Sequence, residues 1–170
     1  MPGDSLILRG CIAAKLGANI DTDIIYPGRY LNVTDREKTA EHLFELSFPE
    51  IRASLRPGDI ILASKNFGCG SSREQAAAAL KYAGVGAVIA PSFARIFYRN
   101  SINLGLPVIV SAEAPDVFIA GDEIEIDLAG GSIRKLPAGP DCKAAALDPR
   151  AVELLNAGGL IPYLKKKHAA

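Results

Sequence analysis

The sequence contains no tryptophan, one methionine, two histidines and three cysteines. The cysteines, Cys11, Cys69 and Cys142, are odd in number and widely spaced. That speaks against a disulfide framework and for a reducing cytoplasm. No CxxC pair is present, and His42 and His168 lie far apart, so the spacing builds no metal site from this chain alone. Charge of one sign is also lacking: 19 Lys and Arg balance 19 Asp and Glu. There is then no electrostatic case for a nucleic-acid or membrane partner. No apolar run approaches the ~20 residues of a membrane span. The opening Met1-Pro2-Gly3-Asp4 has no basic segment ahead of an apolar one, so no signal peptide is expected. What remains is a chain of 170 residues, 49% hydrophobic, which suits one domain with a sizeable core.

The most informative stretch is Asn66-Phe67-Gly68-Cys69-Gly70-Ser71-Ser72-Arg73-Glu74-Gln75. An apolar run, Ile60 to Ala63, precedes it and reads as a buried strand. Ala76 to Tyr82 follows it and reads as a helix of strong formers. A strand thus ends, a glycine-bearing turn follows, and a helix opens. Free N–H groups and partial positive charge at a helix start suit an anion. Gly68 and Gly70 let backbone approach a ligand closely. Two hydroxyls and a guanidinium in the first turn complete a site for a carboxylate or phosphate. A second reading stands beside it. Ser71-x-x-Glu74 and Ser72-x-x-Gln75 each fit a capping box, and a helix needs only one cap. The stretch is no Walker loop, because no Gly-Lys-Ser/Thr follows, and Gly68-x-Gly70 lacks the third glycine of a dinucleotide fingerprint.

Along the chain, Ser5 to Leu16 reads as a strand bent at Gly10. Gly17 to Asp23 is a polar, turn-rich segment, and Ile24-Ile25-Tyr26 is short and apolar before the Pro27-Gly28 turn. Thr34 or Asp35 caps a helix from Arg36 to about Leu46, and Pro49 opens a second, short helix. Strands Ile60–Ala63, Ala87–Ala90 and Pro107–Val110 alternate with helices over Ala76–Tyr82 and Phe93–Leu104, which argues for an α/β core with parallel pairs. The last third changes character. Glu123 to Leu128 alternates as a half-exposed strand does, Gly130-Gly131 turns, and Ser132 to Leu136 returns. Pro149 opens a final helix ended at Gly158-Gly159, and Lys165-Lys166-Lys167 reads as a solvated tail.

Four blocks in order, Asn19–Asp23, Asn66–Glu74, Phe93–Asn100 and Ala157–Tyr163, resemble the small subunits of 3-isopropylmalate dehydratases, the separately encoded counterparts of the swivelling domain of aconitase. The resemblance runs from about Leu6 to Leu164 and makes the whole chain a single swivel domain. It implies an α/β fold of three layers, β/β/α, with a barrel-like sheet. It also implies a hydro-lyase of two chains, a heterodimer or heterotetramer, whose small chain can self-associate when isolated. The large subunit would hold a [4Fe-4S] cluster through its own cysteines, with none bound by this chain. Cys69 alone cannot hold a cluster, and it reads as a small buried turn residue.

By match to the aconitase motif, Ser71 is the base that removes the proton beside a carboxylate, while Ser72 and Arg73 hold carboxylate. A serine alkoxide needs strong stabilisation. A helix start, backbone N–H groups and a guanidinium each favour the anion. The loop after Asp23 reads the variable substituent in this family. Homoaconitate-using relatives typically carry an arginine after its Tyr-Leu pair, where this chain has Asn32. An uncharged Asn32 favours an apolar substituent such as isopropyl. Arg29, three residues earlier, is the other candidate in that loop. The implied function is isomerisation of 2- and 3-isopropylmalate in leucine biosynthesis. The alternatives are a homoaconitase small subunit, a small subunit for dimethylmalate or citramalate, and a non-catalytic anion-binding domain. His42 is expected to be a surface or packing residue, and Arg95 and Arg99, four apart on one helix face, to be solvated or ion-paired ahead of facing substrate or the partner.

Overall fold

The computed structural model describes residues 6–169. Seven strands form one sheet in the order β4-β3-β2-β1-β5-β6-β7, curled into a half-barrel. The ten-residue β1 (Ile7–Leu16) is its axis. Its first half pairs antiparallel with β5 (Glu123–Asp127), from Ile7↔Asp127 to Cys11↔Glu123. Its second half pairs parallel with β2 (Ile60–Ala63), from Ile12↔Ile60 to Leu16↔Ala63. The register breaks between Ile12 and Ala14, where the strand passes from one partner to the other. Gly10, where a bend is expected, keeps register with Ile124.

On the parallel side, β2, β3 (Ala87–Ala90) and β4 (Val108–Val110) continue the sheet. All four residues of both β2 and β3 are buried, as expected of strands covered on two faces. Helices α4 (Glu74–Tyr82) and α5 (Arg95–Leu104) connect them and pack on each other. On the antiparallel side, β5 pairs with β6 (Ser132–Lys135), and β6 with β7 (Asp141–Lys143). The strand β5 is less exposed than its alternation predicts. Glu125 is buried, because Arg9 and Arg134 each reach its carboxylate at 2.7 Å. The Arg9 hydrogen bond first, and then the Arg134 charge against some desolvation, hold that carboxyl below its ordinary range.

Three short α-helices precede β2: α1 (Thr22–Ile25), α2 (Arg36–Glu41) and α3 (Pro49–Ser54). The expected helix to Leu46 stops at Glu41. Phe44, fully buried, takes a left-handed φ of 55°, and its N–H bonds the Ile25 carbonyl at 2.9 Å. Burial of one aromatic ring has overridden the helical periodicity. After β4 come α6 (Ala114–Val117), then, past β7, α7 (Pro149–Ala157) and α8 (Leu160–His168). The lysine run expected as a tail is the exposed last turn of α8, where cations suit the helix dipole. No helix among the described residues is long and apolar enough to cross a membrane.

Candidate active site

The site forms where β2 ends and three distant segments meet. Gly68 N–H donates to the Ile20 carbonyl at 2.7 Å, and Thr22 N–H to the Cys69 carbonyl at 2.9 Å. On the other side Phe67 N–H donates to the Ser92 carbonyl and Ala94 N–H to the Phe67 carbonyl, at 3.0 and 2.9 Å. The glycine turn is thus stitched between the Asn19–Asp23 segment and the entry to α5. Asn19 and Asn66 both take left-handed φ, and their side chains bond each other at 2.9 Å. Gly68 is required here: its φ is 76°, and a Cβ would run into the Phe97 ring. The rings of Phe67, Phe93 and Phe97 pack beneath, with Phe67 and Phe97 buried.

Above this floor lies a cleft of about 230 Å³. Thr22, Ser71, Ser72, Arg73 and Arg95 give its lining polar groups, and Ala94, Ile96 and Phe97 apolar surface. Ser71 and Ser72 are exposed. Neither caps α4: the N-cap position falls on Arg73, and no side chain caps the helix. A contact from a distant segment overturns the capping-box reading. Thr22 Oγ1 donates to the Ser71 carbonyl at 3.1 Å, and Arg73 N–H turns back onto that same carbonyl at 2.8 Å. The chain is therefore still turning at Ser71, and the helix starts at Glu74. Both hydroxyls are left for the cleft.

Arg73 is half-buried, and its guanidinium pairs with the Asp23 carboxylate. Asp23 is presented by the first turn of α1, whose N-cap Asp21 accepts from Ile24 N–H at 2.8 Å. Gly28 lies against this pair: a Cβ there would stand 2.9 Å from Arg73 Nη1 and 3.1 Å from Asp23 Oδ1. The loop after Asp23 therefore reaches the site through Gly28. Its two side-chain candidates do not line the cleft. Arg29 lies over the Tyr30 ring at 4.8 Å and pairs with Glu45 at 3.3 Å. Asn32 is exposed. His42 packs as expected, stacked on Tyr30 with ring centroids 3.5 Å apart and its Nδ1 2.9 Å from Glu45. Desolvation pushes the Glu45 carboxyl up, but the hydrogen bonds from Tyr30 and His42 outweigh it and leave it below its ordinary range.

Sequence reasoning missed Thr22 and Asp23, read as part of a polar turn, and ranked solvation or an ion pair for Arg95 ahead of a place facing substrate or the partner. Arg95 lines the cleft and Arg99 does not. A usable signal was present, since the acid-rich Asp21-Thr22-Asp23 sits immediately before an apolar pair. Cys69 is half-buried, less enclosed than expected. Among the described residues no three His, Cys, Asp or Glu come together to hold a metal ion. Those residues offer no set of the three or four cysteines that an iron–sulfur cluster takes.

Comparison with known proteins agrees with this architecture. The aconitase C-terminal domain model matches residues 13–113. The 3-isopropylmalate dehydratase small subunit of Aquifex aeolicus is 50% identical over 92% of this chain and 94% of its own length. The methanogen homoaconitase small subunit of Methanothermobacter thermautotrophicus is 50% identical over 94% of this chain and 92% of its own. A crystal structure of 3-isopropylmalate dehydratase from Methanocaldococcus jannaschii superposes with a TM-score of 0.85 at 44% identity, covering 96% of both chains. With its half-barrel sheet and this match over most of its length, the chain belongs to the aconitase C-terminal domain family, among the small subunits of 3-isopropylmalate dehydratases.

Proposed function

We propose that this chain is the small subunit of a cytoplasmic two-chain hydro-lyase that interconverts 2- and 3-isopropylmalate by dehydration and rehydration, in leucine biosynthesis. One observation carries the chemical assignment: an exposed Ser71 hydroxyl, released from capping, at the rim of a cleft that Arg73 also lines. In this reading Ser71 Oγ takes the proton from the carbon beside a substrate carboxylate. The C–H electrons form the double bond as the neighbouring hydroxyl leaves as hydroxide, giving the unsaturated diacid and a protonated Ser71. Rehydration with the opposite placement returns the proton from Ser71. Asp23 fixes the Arg73 guanidinium, so the fork that meets substrate is already oriented. Ser72 adds a hydroxyl to the same carboxylate.

The large subunit supplies the other wall of the site and the [4Fe-4S] cluster, which would act as Lewis acid toward the substrate hydroxyl. The apolar-substituent reading draws on two features of the loop. Arg29 is engaged by Glu45, and Asn32 brings no charge, so neither offers a partner to an extra carboxylate. The homoaconitase reading is favoured by one finding, the equal identity to a homoaconitase small subunit. Assembly tests the proposal. The chain alone should be inert and bind no stoichiometric iron after anaerobic reconstitution. Mixed with the large subunit it should turn over 2-isopropylmalate. Activity of the isolated chain, or none from the mixture, would refute it.

A further inference from the structure

Arg95 is the first residue of α5 and lines the same cleft as Ser71 and Ser72. Its side chain is exposed, and among the described residues it forms no ion pair. The first turn of α5 carries no acidic residue, and no side chain caps it. A cation there faces the positive end of the helix dipole, an unfavourable place for it. Lys81 shows the opposite arrangement: in the last turn of α4, it donates to the Gly105 carbonyl at 2.6 Å, where a cation is welcome. The charge of Arg73 is matched by Asp23, so Arg95 is the uncompensated charge of the cleft.

The substituted malates of the proposed reaction carry two carboxylates, and Ser72 with Arg73 takes one. We propose that Arg95 binds the second carboxylate of the substrate. Its planar fork can give that group two parallel hydrogen bonds, which a lysine cannot. Both carboxylates are common to isopropylmalate, citramalate and homoaconitate, so the assignment holds whichever substituent is read. It rests on the function proposed above.

The test uses the assembled two-chain enzyme with Arg95→Gln and Arg95→Lys. The exposed position should let both variants fold and assemble as the parent does. Arg95→Gln should raise KM for 2-isopropylmalate about tenfold with a smaller change in kcat, and Arg95→Lys should recover only part of the loss. Malate, as a dicarboxylate inhibitor, should weaken about tenfold against Arg95→Gln, while 2-hydroxybutyrate, which has a single carboxylate, should not change. Equal weakening of both inhibitors, or of neither, overturns the assignment. So does a loss confined to homoaconitate, which would make Arg95 the reader of the substituent, or a loss of subunit affinity, which would make it an interface contact. If the parent enzyme fails to turn over isopropylmalate, the proposed function falls and this inference with it. If the parent is active and Arg95→Gln matches it, this inference alone falls.

Discussion

Replacing Ser71 by alanine separates a structural from a chemical role. Were Ser71 the cap of α4, its loss would cost about 0.5–2 kcal/mol. The structure places the N-cap on Arg73 and leaves the Ser71 side chain exposed, while the contact that fixes the turn goes to the Ser71 carbonyl, which alanine keeps. The substitution therefore removes one solvated oxygen, and the expected change is within about 0.5 kcal/mol. Loss of the base should slow turnover by roughly a hundredfold or more. Chemical denaturation of the small subunit gives the first quantity, and steady-state kinetics of the assembled enzyme gives the second. A variant destabilised by more than a kcal/mol would restore the capping role. A stable variant with near-normal turnover would remove Ser71 from the chemistry.

Gly28→Ala should shift the Asp23–Arg73 pair by a few tenths of an ångström, since its Cβ would stand 2.9 Å from Arg73 Nη1. Stability should change by less than about 1 kcal/mol, whereas kcat/KM should fall roughly three- to tenfold; an unaltered kcat/KM would detach the loop from the site. Glu125, held below its ordinary range by Arg9 and then Arg134, should add stability above the usual carboxylate range that is lost as pH falls through its depressed value. Thermal unfolding from about pH 7 to pH 3 should accordingly show Glu125→Gln less acid-sensitive than the parent; parallel curves would refute the linkage.

Much of the fold was legible because its signals are local. The buried run Ile60–Ala63, the alanine helix and the Ser132–Lys135 return strand each follow from a few consecutive residues. The expected end of the fifth helix at Leu104 also holds, with Gly105 as its C-cap at φ 78°. The blocks carrying the site were visible for the same reason. Their geometry was not, because it depends on contacts across long sequence separations. Thr22 reaches Ser71 across 49 positions, and that bond, with the Arg73 turn, delays the helix past both serines. The early end of α2 depends likewise on Phe44 meeting Ile25. The start of α5 at Arg95 and not Phe93 has a similar cause, since Phe93 stays extended beside Phe67. The strand β7 is three residues long and exposed at both ends, too short for any period to declare it.

Substrate preference of the assembled enzyme tests the central claim most directly. The small subunit would be combined anaerobically with its large subunit, and kcat/KM measured for 2-isopropylmalate, homoaconitate and citramalate under one condition. A loop that brings neither Arg29 nor a charge at position 32 into the cleft predicts the highest value for 2-isopropylmalate. A higher value for homoaconitate would contradict the account, and would place the cation that reads the extra carboxylate on a residue other than those two.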